Sequence, residues 1–88
     1  SKMLNEGLRT IKAKFPDKID EIRGVGLMIG IKINEKYLNT DVVNKLLYNK
    51  LLTVPAGENV VRLLPPLIVK RPHIDKAIKI INSTIRDL

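Results

Sequence analysis

Asn59-Val60-Val61-Arg62-Leu63-Leu64-Pro65-Pro66-Leu67 is the stretch around which the rest of the chain can be arranged. Alternation puts Val60, Arg62 and Leu64 on one face of a strand, and Val61 and Leu63 on the other. One guanidinium therefore shares a face with two apolar side chains. Arginine stays charged at any working pH, so it cannot escape burial by losing its proton. It needs an anion, and the natural one is a carboxylate held by both arms of the fork. Pro65 and Pro66 then end the ladder, because neither can donate a backbone hydrogen bond. A turn, Pro55-Ala56-Gly57-Glu58, precedes the strand. On pattern alone, Arg62 is a structural ion pair or a side chain that reaches past its neighbours into water.

Outward from this strand the chain alternates short elements. Residues 1–15 are expected to form a helix, with Leu4, Leu8, Ile11 and Phe15 as its apolar stripe and Pro16 as its stop. The pattern begins at Met3 without a cap, as expected of a cut through a longer protein. Ile19 to Arg23 is a short extended run, and Gly24-Val25-Gly26 is expected to turn it. Leu27 to Ile33 is the strongest strand, rich in apolar and β-branched residues. Its glycines, Gly24, Gly26 and Gly30, have a G-x-G-x-x-x-G spacing. That is one residue too long for a dinucleotide fingerprint, and a strand follows where a helix should. Gly30 instead marks a bulge or the close approach of another backbone.

Thr40 is expected to cap a second helix, with Asp41 favourably placed for its dipole and Val43, Leu46 and Leu47 on its apolar face. Asn49 or Lys50 ends it. Leu51 to Val54 is a short strand, and Asn59 to Leu64 the next. The last helix spans 72–87, with Ile74, Ala77, Ile78, Ile81, Ile85 and Leu88 in one stripe and Pro72 in its first turn. Lys70, Arg71 and His73 crowd the end where the helix dipole prefers anions, so this start should be weak. The predicted class is α+β, in the order α-β-β-α-β-β-α: a small, mainly antiparallel sheet with helices on one face.

Composition narrows the functional classes. Eighty-eight residues make one small domain or part of a larger protein. There is no cysteine, hence no disulfide framework and no thiolate metal site. His73 is the only histidine and is expected on the surface, so no histidine pair exists for a metal. Asn82-Ser83-Thr84 matches a glycosylation sequon, but inside a helix of a cytoplasmic protein it is a chance match. The apolar runs are too short to span a membrane, which makes a cytoplasmic location the default. Lys and Arg number 16 against 9 Asp and Glu, a formal charge of +7. The basic residues are spread along the chain and interleaved with acids. Phe15, Tyr37 and Tyr48 give no stacking platform, so no nucleic-acid partner is expected.

Two stretches carry a family resemblance. Val60-Val61-Arg62-Leu63-Leu64-Pro65-Pro66-Leu67-Ile68, preceded by Ala56-Gly57, resembles the C-terminal signature of class III pyridoxal-phosphate aminotransferases. Ile22-Arg23-Gly24-Val25-Gly26-Leu27-Met28-Ile29-Gly30 resembles the run that enters the small domain's sheet in the same family. Within the family the acetylornithine branch is most similar, and the ornithine branch next. The resemblance implies that residues 1–88 are the C-terminal small domain of a fold-type-I transaminase, with the large domain absent. It implies a dimeric enzyme whose pyridoxal phosphate is a Schiff base to a lysine of the large domain, so no lysine here takes that role and no cofactor is expected on this chain alone. The implied reaction moves an amino group between N-acetylornithine and 2-oxoglutarate in arginine biosynthesis; ornithine and succinyl-diaminopimelate remain alternative amino donors.

The resemblance also implies that Arg62 binds a substrate carboxylate, with Ala56, Gly57, Pro65 and Pro66 in support. The expected partners are the remainder of the chain, a second subunit, and amino-acid and 2-oxo-acid substrates. The isolated chain is expected to expose an apolar face and self-associate. Many family members have glycine where Lys50 stands, and acids with threonine or serine where the last helix begins; this chain departs at both places. The alternatives are a small basic binding module for nucleic acid and a free-standing interaction domain.

Overall fold

The computed structural model describes residues 2–25, 28–64 and 71–88, so Gly26, Leu27 and the prolines 65 and 66 lie outside the described residues. Helix α1 (Lys2–Lys14) buries Leu4, Leu8 and Ile11, one per turn as their spacing requires. Phe15 packs half-buried beyond its end, and its carbonyl accepts from the N–H groups of Lys18 and Ile19, which turns the chain into the sheet. Strands β1 (Ile19–Val25), β2 (Met28–Ile33), β3 (Thr53–Ala56) and β4 (Val60–Leu63) form one sheet in the order β1-β2-β4-β3, and every adjacent pair is antiparallel. Helices α2 (Asn39–Tyr48) and α3 (Arg71–Arg86) complete the expected α-β-β-α-β-β-α order.

The sheet has two unlike faces. Ile22, Ile29, Ile31, Ile33, Val61 and Leu63 are buried in one core with Leu8 and Ile11 of α1, Val42 and Leu46 of α2, and Ile74, Ile81 and Ile85 of α3. Each such side chain contributes roughly 1.5–3 kcal/mol when fully buried. α1 and α3 meet where Gly7 lies under Ile78; a Cβ on Gly7 would collide with the Cδ1 of Ile78. The other face carries Glu21, Arg23, Gly30, Lys32, Val54, Val60 and Arg62, which the strand register aligns in rows. No helix among the described residues is long and apolar enough to cross a membrane.

Several boundaries differ from the sequence expectation, each for a physical reason. β1 runs on through Gly24 and Val25, because both pair with β2 instead of turning. The sheet irregularity lies between Ile19 and Glu21, not at Gly30. β3 begins at Thr53 and includes Pro55 and Ala56, leaving Gly57 to Asn59 as the turn; proline is tolerated because β3 is an edge strand. α2 begins at Asn39 with Leu38 at the cap position and no side-chain cap from its own sequence. Thr40 is inside the helix. The Asn39 N–H instead donates to Oδ1 of Asn59 at 2.8 Å, a cap supplied from another element.

The buried stripe of α2 is Val42 and Leu46, with Val43 half-buried and Leu47 exposed at 53%. At its end Asn49 keeps a negative φ, and Lys50 adopts φ 70°. The Lys50 N–H donates to the Leu47 carbonyl and the Leu51 N–H to that of Leu46, a Schellman closure made without glycine. In α3 the first turn has no acid, and His73 is exposed.

Candidate carboxylate-binding site

Register brings Arg62 to the centre of the open face. It pairs with Gly30 of β2 on one side and Val54 of β3 on the other. Gly30 pairs in turn with Arg23 of β1. One row across the sheet therefore reads Arg23, Gly30, Arg62, Val54, and residues in one row share a face. Gly30 is required by space: a Cβ there would lie 2.7 Å from Cγ1 of Val60. Gly30 is expected from the sequence to mark a bulge or the approach of another backbone; what leaves no room there is instead the Val60 side chain. Without a side chain at position 30, the row sinks between the two arginines. Arg23, Met28, Gly30, Ala56, Val60 and Arg62 line a cleft of about 410 Å³.

Val60 is buried in this face, whereas Arg62 is exposed and Leu64 half-buried. Among the described residues, no hydrogen bond or ion pair holds the Arg62 guanidinium. The structure thus places Arg62 on the strand face that alternation predicts, with its charge in water. The side chain does not meet a structural carboxylate among these residues.

Arg23 is different. Its Nη2 donates to Oε2 of Glu58 at 3.0 Å, and its Nε lies 3.4 Å from Oε1 of Glu21. The Glu58 hydrogen bond raises the guanidinium pKa further above its usual value; partial burial opposes this, and the charge of Glu21 adds to it. Glu58 reaches Arg23 from the β3–β4 turn, where it has φ 63°. Gly57 does not adopt the left-handed range of φ, and a Cβ on it would meet nothing within 4 Å. The left-handed positions of the turn are Glu58 and Asn59.

Asn59 anchors the cleft from behind. Its Nδ2 donates to the carbonyls of Ile33 at 2.9 Å and Tyr37 at 2.8 Å, with that of Asn34 farther off at 3.4 Å. Its Oδ1 accepts from the Asn39 N–H. The Asn39 side chain returns the contact by donating to the carbonyls of Ala56 and Val60, 3.0 Å each. One asparagine pair thus ties the β2–α2 connection to both ends of the β3–β4 turn, and so fixes where β4 starts and where Arg62 emerges. Sequence reasoning gave no role to Arg23, Glu58, Asn39 or Asn59. The signal available for Asn59 was its residue type, since asparagine tolerates the left-handed region and bonds to nearby backbone.

The chemistry on offer is anion binding. A planar fork, unpaired among the described residues, stands beside an apolar wall of Met28, Val60 and Ala56. Among the described residues no lysine lines this cleft, and none of the described lysines is buried. The described residues therefore do not themselves fit a covalently held pyridoxal phosphate, which needs a desolvated lysine amine.

Known proteins resemble this chain in sequence and in fold. The sequence model of the family described as "Aminotransferase class-III" matches residues 1–85. Acetylornithine aminotransferase from Prochlorococcus marinus subsp. pastoris is 43% identical over 86 residues, covering 97% of this chain and 21% of the relative. That from Clostridium acetobutylicum is 42% identical over 86 residues, covering 98% and 21%. Among solved structures, N-acetylornithine aminotransferase from Stenotrophomonas maltophilia superposes with a TM-score of 0.84 at 27% identity, over 99% of this chain and 24% of the other. Ornithine aminotransferase from Plasmodium yoelii gives 0.77 at 27% identity, over 98% and 24%. The chain spans about a fifth of the length of the curated relatives it matches.

Proposed function

The chain belongs to the class III aminotransferases, and from that premise we propose that residues 1–88 form the C-terminal small domain of a larger transaminase in which Arg62 binds a substrate carboxylate. The reaction proposed for the whole enzyme is amino transfer between N-acetylornithine and 2-oxoglutarate, as the names of the relatives suggest. A dimeric, cytoplasmic enzyme of arginine biosynthesis is the corresponding setting. Pyridoxal phosphate, when bound by the rest of the enzyme, accepts and returns the amino group. The residues of this chain contribute binding and orientation.

The observation that carries the proposal is the Arg62 fork, unpaired among the described residues, in the cleft beside Gly30. Two N–H groups of a guanidinium grip both oxygens of a carboxylate at once, which fixes the rotation of the ligand as well as its position. Fixing the carboxylate fixes the Cα–H bond beside it, and orientation of that kind is a large share of a rate enhancement. Asn59 keeps the strand beneath Arg62 in place, and the apolar wall leaves the carboxylate with few competing donors.

The test uses the complete aminotransferase. Arg62→Lys keeps the charge and loses the two-armed grip. Charge-assisted hydrogen bonds contribute about 1.5–3 kcal/mol, so kcat/KM for both amino-acid substrates should fall roughly ten- to a hundredfold. Arg62→Ala should fall at least as far, with circular dichroism unchanged for both variants. Unchanged kinetics in both, with folding intact, would make Arg62 a solvated surface charge.

A further inference from the structure

The cleft holds a second guanidinium that the proposed function leaves unused. Arg23 and Arg62 flank Gly30 in one row of the sheet, and both line the cleft. Strands are spaced about 4.7–4.9 Å apart, so these two residues, two strands apart, have backbones about 10 Å apart. Two cationic forks at that separation suit the two ends of a short dicarboxylate. Yet the forks are not equivalent, since Arg23 is held by Glu58 and Glu21, and Arg62 by no described residue.

Glu58 is the informative member of the pair. It adopts φ 63°, a conformation that residues with a Cβ take at a cost. Glycine would suit this position of a turn better. The side chain that glycine lacks is the one that reaches across 35 residues of sequence to Arg23. An uncommon backbone conformation at a residue that makes one cross-strand contact points to that contact as the feature to test.

On the reading that Arg62 is the carboxylate anchor, we propose that Glu58 determines specificity in this cleft: with Glu21 it occupies Arg23, which leaves one binding orientation and Arg62 as the cleft guanidinium that is unpaired among the described residues. Amino donors with one carboxylate and acceptors with two then present their carboxylate to the same fork. On the open face Arg23, Lys32 and Arg62 face Glu21 and Glu58, three cations against two carboxylates. Removing the Glu58 charge frees the Nη2 end of Arg23, leaves Glu21 beside its Nε, and raises the local charge by one. A dicarboxylate then gains a second anchor, while a monocarboxylate gains only the weaker general attraction of the added charge.

The experiment measures competitive inhibition of the complete aminotransferase by butyrate, with one carboxylate, and by glutarate, with two. The variants are Glu58→Gln, Glu58→Gly, Arg62→Lys and the double variant Glu58→Gln with Arg23→Gln. Glu58→Gly suits the left-handed backbone, so at least one charge-removing variant retains the turn. In both Glu58 variants glutarate inhibition should tighten about two- to fivefold relative to butyrate, the range expected of a partly exposed ion pair. The gain should fade in high salt and vanish in the double variant. Equal changes for both inhibitors, or a gain that survives loss of Arg23, overturns the role of Glu58. If Arg62→Lys weakens both inhibitors while the Glu58 variants leave their ratio unchanged, the specificity proposal alone fails. If Arg62→Lys changes neither, the carboxylate-anchor reading fails with it.

Discussion

Replacing Asn59 by alanine should cost this small domain much of its stability. The side chain makes three short hydrogen bonds, to the carbonyls of Ile33 and Tyr37 and from the N–H of Asn39, at 2.8–2.9 Å. A net contribution near 1 kcal/mol for each gives about 3 kcal/mol. Alanine also tolerates φ 63° less well than asparagine does, which adds to the loss. In a domain of 60–100 residues, 1 kcal/mol shifts the melting temperature by about 4–8 °C, so a fall of roughly 12–24 °C is expected. Urea unfolding followed by circular dichroism measures the free energy, with an unchanged m-value as the sign that compactness is preserved, and a thermal scan measures the melting temperature.

Asn59→Asp is the sharper control because its shape is the same. The introduced carboxylate can still accept from Asn39, but it cannot donate to Ile33 or Tyr37 and would face their oxygens. Its charged form is disfavoured in the folded state, so its folded pKa is raised. Stability is then retained below the unfolded value near 3.9 and lost as pH rises through the raised folded value. The gap to wild type should widen from acid to neutral pH. A loss below about 1 kcal/mol in Asn59→Ala, or an Asn59→Asp variant as stable as wild type at pH 7, would refute the role of Asn59 as the tie behind the cleft.

Two other substitutions test the local geometry. Lys50→Gly should stabilise the chain by roughly 0.5–1 kcal/mol, because Lys50 has φ 70° in the closure that ends α2; calorimetry showing a lower melting temperature would contradict that. Gly30→Ala should destabilise by about 1–3 kcal/mol, since its Cβ would meet Val60 Cγ1 at 2.7 Å, and chemical denaturation showing no loss would mean that Val60 yields without strain.

What could be read from the sequence follows the range of the forces involved. The stripes Leu4, Leu8, Ile11 and Ile74, Ala77, Ile81, Ile85 were legible because helix periodicity is local and both helices bury one side. The alternation of β4 was legible for the same reason, and it placed Arg62 opposite Val61 and Leu63. Element ends were less so. Thr40 looked like a cap by residue type, but Asn59, some 20 residues away, supplies the acceptor. Pro55 looked like a turn, but its strand is an edge. Leu47 looked like part of the apolar face of α2, but α2 turns Val42 inward and leaves Leu47 at the rim. The Arg23–Glu58 contact joins two exposed charges 35 residues apart, which no local pattern encodes and only the register of β1, β2 and β4 brings about.

The division between the two sheet faces explains how a charge this exposed can matter. The helix face is filled by aliphatic side chains, so folding is driven from that side and the open face is free to carry polar groups. Arg62 therefore costs the domain little in water, where its guanidinium is solvated. The same group gains strength once the face is covered, because two charges attract far more in a medium of low dielectric than in water. Arginine cannot respond to such covering by giving up its proton, as a lysine could. A covered Arg62 must then be met by an anion or pay the desolvation penalty in full. In the proposed whole enzyme, that demand is what selects a substrate carboxylate. Arg23 makes no such demand, because Glu58 and Glu21 go with it.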